Sequence, residues 1–339
     1  MIVDDFRSDT VTRPGDAMRA AMAAAEVGDA VYEDCPTTKR LEAKTAERLG
    51  KEAALFFPTG TQANLAGLMA HCGRGDEYLV GQLAHTYRLE GGGAAVLGSI
   101  QPQPLPNEAD GTIALDAIAA AIKPDDFHFA VTRLLALENT FNGLPLPDTY
   151  IEAATELARS RGLATHLDGA RLMNAAAASN RDAAWIAGCF DTVSLCLSKG
   201  LGAPIGSILV GSKDLIDKAR RIRKMLGGGM RQTGVVAAAA IYALDHNVAR
   251  LGEDHRRAED LAKVLARFPA LGAGPARTNM VFMTPKDLDT AAFADFLRDR
   301  GIAVGGRYGT LRWVTHLDLD DGSIDRVAEA CEMFFATRH

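Results

Sequence analysis

Short apolar runs alternate with amphipathic stretches along the first two thirds of the chain. The apolar runs are five to seven residues long and read as buried strands: 53–57, 77–81, 163–168 and 191–197. Between them, apolar residues recur at three- and four-residue spacing, as in 37–49 and 150–161, which predicts helices. Strands that alternate with helices predict an α/β fold with a mainly parallel, doubly wound sheet.

Three further segments complete this part of the pattern. An apolar run at 94–100 predicts a strand, followed by a proline-rich connector at 101–106. The run at 127–138 predicts a long strand, and 207–210 predicts one antiparallel to the strand at 191–197.

From residue 276 the pattern changes to a few strands and helices that predict a small α+β unit with its own core. We therefore expect a polar N-terminal arm at 1–15, a large domain at 16–246 and a small C-terminal domain at 247–339, which begins with a helical connection.

Composition narrows the class of protein. The 339 residues are 47% hydrophobic and 24% charged, with a formal charge of −6, which argues against a nucleic-acid partner. The longest apolar run, 235–244, is too short for a membrane span, and no secretory signal is visible at the N-terminus. The five cysteines have no metal-ligand spacing, so we expect no metal site and a cytoplasmic protein with free thiols.

Lys199 follows the buried run at 191–197 and precedes a loop with Gly200, Gly202 and Gly206. A lysine at the end of an apolar strand is partly desolvated, and desolvation favours the neutral amine that forms imines with carbonyl compounds or pyridoxal phosphate (PLP). A lysine in a mobile surface loop is the alternative.

Asp168 ends the preceding apolar run, and Arg171 follows it. PLP needs a carboxylate on its ring nitrogen, and ligands bind beyond the carboxyl ends of strands in open α/β sheets. Asp168 and Lys199 end two strands that we expect to be parallel neighbours, so together they predict a PLP site. Asp168 as the N-cap of the next helix is the alternative.

Gly60 and Thr61 lie between the strand at 53–57 and a helix. The free backbone N–H groups and the dipole of a helix N-terminus attract phosphate, and Thr61 as a simple N-cap is compatible with that. His85 follows the strand at 77–81, where an imidazole could stack on a cofactor ring or exchange protons near neutral pH. His128, near the start of the strand at 127–138, is harder to place.

Two groups of cations remain. Arg312 lies in an apolar strand, where a substrate carboxylate or an internal acid would pair with it. A basic helix at 214–225 ends near a triple glycine, where Lys224 and Arg231 could reach a phosphate.

The motifs, in this order, resemble the low-specificity L-threonine aldolases over essentially the whole chain. Those that carry the resemblance are RSDTVTRP (7–14), PTGTQAN (58–64), GGAAVLGSIQP (92–102), HLDGAR (166–171), LSKGLG (197–202), GGGMRQ (227–232) and RWVTHLD (312–318). The resemblance implies the fold of aspartate aminotransferase, PLP as cofactor, and a homotetramer of two tight dimers with active sites shared between subunits. It implies a PLP-dependent carbon–carbon lyase that cleaves L-threonine, L-allo-threonine and other L-3-hydroxy amino acids reversibly to glycine and an aldehyde.

The resemblance also implies residue roles. Lys199 would hold PLP as an imine, Asp168 would pair with its ring nitrogen, and His85 would stack on the ring. The remaining roles concern the phosphate and the substrate. Gly60, Thr61 and Ser198 would bind the phosphate with Lys224 and Arg231 of a neighbouring subunit; Ser8, Arg171 and Arg312 would bind the substrate carboxylate; His85 and His128 would lie near the β-hydroxyl; and Tyr32 would come from a partner.

Two positions depart from the family pattern, Phe141 in place of a histidine and Arg88 in place of an apolar residue. Either could change substrate size preference or stereoselectivity. The base for the β-hydroxyl stays open between His85 and a water held by His85 and His128.

Three alternatives share parts of this pattern. A PLP-dependent β-eliminating lyase that acts on an aromatic or sulfur amino acid would use the same Lys199 and Asp168 but release pyruvate and ammonia. A non-catalytic PLP-binding regulator would need an added DNA-binding region, and a structural oligomer would bind no PLP.

Overall fold

The computed structural model describes residues 2–307 and 310–336. Its strands are β1 (Asp4–Phe6), β2 (Ala53–Phe57), β3 (Asp76–Gly81), β4 (Gln101–Leu105), β5 (Val131–Glu138), β6 (Ala164–Gly169), β7 (Thr192–Cys196), β8 (Ser207–Gly211), β9 (Met280–Met283), β10 (Ile302–Arg307) and β11 (Thr310–Val314).

Helices precede or follow most strands. They are α1 (Asp16–Ala23), α2 (Pro36–Arg48), α3 (Gly60–His71), α4 (His85–Arg88), α5 (Gly93–Val96), α6 (Leu115–Ala121), α7 (Asp148–Ser160), α8 (Leu172–Ser179), α9 (Ala183–Gly188), α10 (Lys213–Met225), α11 (Gly234–His246), α12 (Leu251–Ala266), α13 (Thr290–Asp299) and α14 (Asp321–Ala336). Short 3₁₀ helices occur at Asp9–Val11 and Pro269–Leu271.

The chain divides into two compact units. The larger comprises Pro14–Ser198 and Ala203–Asp245, and the smaller comprises Met1–Arg13, Lys199–Gly202 and His246–His339. The N-terminal segment belongs to the smaller unit because β1 pairs in parallel with β10. The domain limits expected at 15/16 and 246/247 stay a prediction.

The larger unit is built on a seven-stranded sheet in the order β2-β8-β7-β6-β5-β3-β4. The five strands β7, β6, β5, β3 and β4 are parallel, whereas β8 runs antiparallel to both β7 and β2. The antiparallel return at β8 and the parallel pairing of β6 with β7 were both predicted. Because the five strands are parallel, their carboxyl ends lie at one edge of the sheet.

Apolar side chains pack between this sheet and its helices. One cluster places Leu68 of α3 with Tyr78, Val80 and Leu134 of the strands. Another packs Leu55 and Phe57 of β2 against Ile216 of α10, together with Leu209. These fully buried side chains fix α3 on the sheet, and α3 carries groups that matter for the site below.

The prediction for residues 94–106 was wrong. Residues Gly93–Val96 are helical, and the strand is β4, which lies in the segment expected to be a connector. β4 is an edge strand that pairs only with β3 in this sheet, so Pro102 and Pro104 remove no ladder bond from a central strand. The predicted strand at 127–138 begins only at Val131.

The smaller unit contains a four-stranded sheet in the order β1-β10-β11-β9. Its core includes the fully buried Phe6, Phe293 and Trp313, and Phe6 packs edge-on against Trp313 with ring centroids 5.2 Å apart. Arg326 of α14 binds both carboxylate oxygens of Asp4 at 2.7 Å. The polar N-terminal segment is therefore an integral strand of this unit.

Within residues 2–307 and 310–336, none of the helices combines the length and the hydrophobicity that crossing a membrane requires.

Candidate active site

The carboxyl ends of three parallel strands in the larger unit gather polar side chains. Asp168 is the penultimate residue of β6, Glu138 is the last residue of β5, and the two are paired in register. His85 follows β3, the next strand along, after a three-residue connection. The strand order therefore brings two carboxylates and an imidazole to one edge of the sheet.

Asp168 is 2% exposed, and both of its carboxylate oxygens accept hydrogen bonds. The side-chain amide of Asn64 donates to Oδ2 at 2.9 Å, and the backbone N–H of Ala170 donates to Oδ1 at 3.0 Å. Asp168 is not a helix cap, since α8 begins after Arg171 as its N-cap residue. The alternative explanation of Asp168 as an N-cap is therefore wrong.

His85 is held at two points. Its backbone N–H donates to Oε2 of Glu138 at 2.7 Å, and its ring Nδ1 lies 2.8 Å from Oε1 of Glu90. The same Glu90 oxygen accepts the side-chain N–H of Asn64 at 2.9 Å. Burial raises the pKa of Glu90, the hydrogen bond from His85 lowers it, and the charge of Asp168 raises it again. The buried carboxylate of Glu90 therefore holds the ring of His85 at Nδ1.

Asn64 connects this cluster to a buried polar network formed by side chains of α3, β6 and β7. Its Oδ1 accepts the hydroxyl of Ser194 at 2.6 Å and lies 3.3 Å from Nε2 of His166. Nδ1 of His166 and Nε2 of His71 each lie 2.9 Å from the Thr192 hydroxyl. Burial lowers the pKa of His166 to about 3 and that of His71 to about 4, so both rings are neutral at pH 7.

The N-terminus of α3 lies in the same unit. Thr59, rather than Thr61, is the N-cap, and its hydroxyl accepts the backbone N–H of Gln62. Gly60 and Thr61 occupy the first helical turn, as predicted for a phosphate site. A Cβ on Gly60 would lie 3.4 Å from the Ser207 hydroxyl. That hydroxyl is buried and has no hydrogen-bond partner within the described part of the chain.

The smaller unit holds three of the predicted residues. Ser8 caps the 3₁₀ helix that begins at Asp9, and its hydroxyl oxygen accepts from the backbone N–H of Thr10. The Thr12 hydroxyl lies 3.1 Å from the carbonyl oxygen of Lys199, whose side chain is half-buried. Arg312 donates from Nη2 to the carbonyl of Arg7 at 3.2 Å. The N-terminal segment therefore contacts the backbone of Lys199 and the side chain of Arg312.

Comparison with known proteins identifies the family. Residues 5–287 match the beta-eliminating lyase family. The chain is 52% identical over 334 residues to the low specificity L-threonine aldolase of Escherichia coli K12, covering 98% of this chain and 99% of that relative. The chain belongs to the low-specificity L-threonine aldolase family. It is also 44% identical to a probable low-specificity L-threonine aldolase 2 of Arabidopsis thaliana, over 98% of this chain and 97% of that relative.

The fold agrees with the family. A threonine aldolase of Leishmania major superposes with a TM-score of 0.82 at 22% identity, covering 98% of this chain and 99% of that one. The predicted architecture, an α/β fold with a mainly parallel sheet of the kind found in fold type I enzymes, is confirmed. The enzyme class follows from family membership: the chain is a lyase.

The larger unit fits the cofactor of this aldolase family at two places. Asp168 is buried, oriented by Asn64 and Ala170, and each of its oxygens retains capacity for a further hydrogen, such as that of a pyridinium nitrogen. The first turn of α3 offers backbone N–H groups, and the buried Ser207 hydroxyl beside Gly60 lacks a partner among the described residues. A phosphate group would supply one.

Several predicted residues lie at the surface. Tyr32 is 78% exposed, and Lys224 at the end of α10 is also exposed. Arg231 is exposed and forms an ion pair with Asp29 at 3.1 Å. Ser198 is half-buried, with its hydroxyl 3.5 Å from the Cys196 sulfur. The roles expected for these residues, three of which involve a second subunit, stay predictions.

His128 is not beside His85 in this chain. It precedes β5, whereas Glu138, which binds the backbone of His85, ends β5. The eight residues of β5 span about 26 Å at ~3.3 Å per residue. Within a single protomer the two histidines therefore do not flank one point, and the role expected for His128 near the β-hydroxyl stays a prediction.

Sequence reasoning missed Glu90 and Asn64. Asn64 lies four residues after Gly60, on the helix whose N-terminus was singled out for phosphate. Glu90 lies five residues after His85 and immediately before three glycines, of which Gly91 and Gly92 have φ of +64° and +68°. A carboxylate that precedes a glycine-rich reversal, close to a candidate histidine, was the available signal.

The two departures from the family pattern are also placed. Phe141 is buried, and a Cβ on Gly111 would lie 2.6 Å from its ring. Arg88 ends α4 and is exposed. Phe141 therefore contributes to packing next to Asn139 and Glu138, one strand from Asp168.

Proposed function

We propose that this chain is a PLP-dependent aldolase that cleaves L-threonine, L-allo-threonine and related L-3-hydroxy amino acids reversibly to glycine and an aldehyde. The observation that carries the proposal is the near full-length match to the low specificity L-threonine aldolase of E. coli. The buried Asp168 and the anchored His85 at the carboxyl ends of β6 and β3 support it from the geometry of the larger unit.

When bound, PLP supplies a ring system that accepts the electron pair released as the Cα–Cβ bond breaks. Lys199 would hold the cofactor covalently. Asp168 would keep a proton on the ring nitrogen, because a buried carboxylate stabilises an adjacent cationic N–H. Gly60, Thr61 and Ser198 would bind the phosphate, joined by Lys224 and Arg231 of a second subunit.

The substrate needs a carboxylate site and a base. Ser8, Arg171 and Arg312 would bind the carboxylate and so fix the orientation of the Cα–Cβ bond. His85 would stack on the cofactor ring and accept the proton of the β-hydroxyl, directly or through a water. Loss of that proton lets the C–O bond become the aldehyde carbonyl as the Cα–Cβ bond breaks, and glycine is released after its Cα takes up a proton.

A homo-oligomer, a dimer of dimers, belongs to the same proposal. Several apolar or aromatic side chains are strongly exposed in the isolated chain, including Tyr32 at 78%, Val96 at 74% and Phe127 at 92%. Packing against a second subunit would remove these side chains from water, which favours association. Tyr32 and His128 would then reach the active site of a partner. Roles in glycine formation and threonine breakdown, and the cytoplasmic location, are part of this proposal.

The function is tested with purified protein, PLP and L-allo-threonine or L-threonine, with NADH oxidation by alcohol dehydrogenase reporting acetaldehyde. We expect NADH consumption with equimolar glycine, and the ratio of the two rates ranks the diastereomers. The match to the beta-eliminating lyase family favours one rival, elimination from an aromatic or sulfur amino acid. Pyruvate and ammonia without glycine would support that rival and contradict the aldolase.

A further inference from the structure

Glu90 has no assigned role, yet its carboxylate stands between the imidazole of His85 and the cofactor-facing Asp168. Its side chain is 4% exposed, and the nearest nitrogen and oxygen atoms of His85, Glu90 and Asp168 all lie within 4.8 Å of one another. A carboxylate this deeply buried is costly unless its hydrogen bonds are satisfied. The hydrogen bonds of Glu90 therefore indicate its role.

The orientation of the Asn64 amide follows from its neighbours. Its Nδ2 lies 2.9 Å from both Glu90 Oε1 and Asp168 Oδ2, and its Oδ1 accepts the Ser194 hydroxyl. An amide NH₂ has two hydrogens, so it donates one to each carboxylate. With this N–H donor between the two acids, the space suits hydrogen bonding rather than a cation.

With Glu90 ionised, the proton between His85 and Glu90 belongs to Nδ1 of the ring. Glu90 Oε1 already accepts from Asn64, and an ionised carboxylate oxygen has a second acceptor site for Nδ1–H of His85 at 2.8 Å. A neutral ring that carries its proton on Nδ1 has its lone pair on Nε2. A ring with the opposite tautomer would present an N–H there and could not accept a proton.

We propose that Glu90 is a positioning residue that fixes His85 in the Nδ1–H tautomer, so that Nε2 is the basic nitrogen towards the substrate. Asn64 connects this pair to Asp168, so the histidine and the cofactor-facing carboxylate share one hydrogen-bonded frame. The inference rests on the proposed aldolase function for its kinetic consequence, but not for its structural one.

The structural consequence is measured without activity. Solid-state ¹⁵N NMR of the full chain labelled with [¹⁵N]histidine, with and without PLP, distinguishes protonated from bare ring nitrogens. Subtraction of the His85→Asn spectrum isolates His85. We expect a protonated Nδ1 and a bare Nε2 in the wild type, and loss of this pattern in Glu90→Gln, whose amide can donate to Nδ1 instead.

Glu77→Gln is the matched control. Glu77 is a fully buried carboxylate on β3, at the opposite end of the parallel strands, where it binds Gln101 and Thr132. Its replacement removes a buried charge from the same unit and is expected to leave the His85 signals unchanged.

Kinetics give the second readout. Replacement of a partner that orients a metal-bound histidine typically costs 10- to 100-fold, and Glu90 would orient His85 in the same way. We therefore expect kcat for L-allo-threonine to fall by about that factor in Glu90→Gln, with KM within about threefold. Glu77→Gln should change neither by more than about twofold.

The outcomes separate the two proposals. A wild-type His85 with its proton on Nε2 overturns the inference, and this measurement stands even if Glu90→Gln does not fold. An unchanged His85 signal and unchanged kcat in Glu90→Gln also overturn it. The expected signals in a protein that releases no acetaldehyde from any 3-hydroxy amino acid support Glu90 as the partner of His85 and overturn the proposed function instead.

Discussion

The larger unit contains two histidine–carboxylate pairs that look alike and differ in almost every physical respect. His85 lies 2.8 Å from Glu90, and His128 lies 2.6 Å from Asp126. In the first pair the side chains are 38% and 4% exposed; in the second they are 66% and 45% exposed. The shorter contact, between His128 and Asp126, is therefore the one that solvent screens.

The surroundings explain the difference. Glu90 is also bound by Asn64, and the backbone of His85 is bound by Glu138, so the first pair is fixed by two further elements. Oδ1 of Asp126 accepts the backbone N–H of His128, two residues away, and lies beside Nδ1 of the same residue, so the second pair is held within one loop. Distance alone therefore does not identify a functional pair; burial and the number of independent anchors do.

The largest expected effects are losses of activity, and they test whether His128 acts in the active site of another subunit. We expect His85→Asn to lower kcat/KM by about 10²- to 10⁴-fold through loss of a proton acceptor. His128→Asn should also lower activity if the exposed loop with Phe127 and His128 enters the site of a partner, as the proposed homo-oligomer requires.

Subunit complementation measures this. The two variants are mixed, dissociated, reassembled and assayed. In a twofold dimer with His85 and His128 from different chains, half of the dimers are mixed and each has one intact site, so activity should return to about a quarter of wild type. Reassembled wild type is the control. If the reassembled mixture of the two variants recovers no activity, His128 does not contribute to a site shared between subunits.

A smaller effect tests how burial of a histidine changes the pH dependence of the stability of the fold. His71 is bound to the same Thr192 hydroxyl as the fully buried His166, and burial lowers the pKa of His71 to about 4. The unfolded chain has an unperturbed histidine pKa of about 6.5, so between these values the unfolded state binds more protons and stability falls as pH falls.

We expect this term to cost the wild type about 2 kcal/mol between pH 7 and pH 4, after allowance for partial exposure of His71. His71→Gln, whose amide can keep the bond to Thr192, should lose that much less over the same range. Urea unfolding at each pH gives the free energies, and His128→Gln, in an exposed loop, is the control. Parallel pH curves for wild type and His71→Gln would contradict the argument.

The sequence predicted the fold because its signals were local and mutually consistent. Buried runs such as 53–57 and 163–168 matched β2 and β6 closely, and the parallel pairing of β6 with β7 followed from the alternation with helices. The edge strand β4 was not predicted because Pro102 and Pro104 normally indicate the end of a strand. They are compatible with a strand here because β4 lies at the edge of the sheet.

The site was predictable only in part, for a related reason. Asp168 and His85 end or follow strands, so strand polarity placed them at one edge. Glu90 and Asn64 meet through a glycine-rich reversal and a helix face, and no periodicity in the sequence reports that contact. His128 precedes the opposite end of β5, so strand polarity does not bring it to this edge in its own protomer, and its role stays a prediction.

The smallest expected effect concerns the exposed pair itself. The hydrogen bonds that Asp126 accepts from the backbone and side chain of His128 lower the pKa of its carboxyl, yet both side chains are exposed to solvent, so little of that interaction stabilises the fold. Asp126→Ser, which can keep an acceptor for the backbone N–H of His128, should leave the unfolding midpoint in urea and kcat/KM within experimental error of wild type. The matched change in the buried pair, Glu90→Ser, should lower both. A marked loss of activity in Asp126→Ser, with the midpoint unchanged, would show that Asp126 orients His128 for a partner's site. Both pairs would then consist of a carboxylate that orients a functional histidine, and they would differ only in burial.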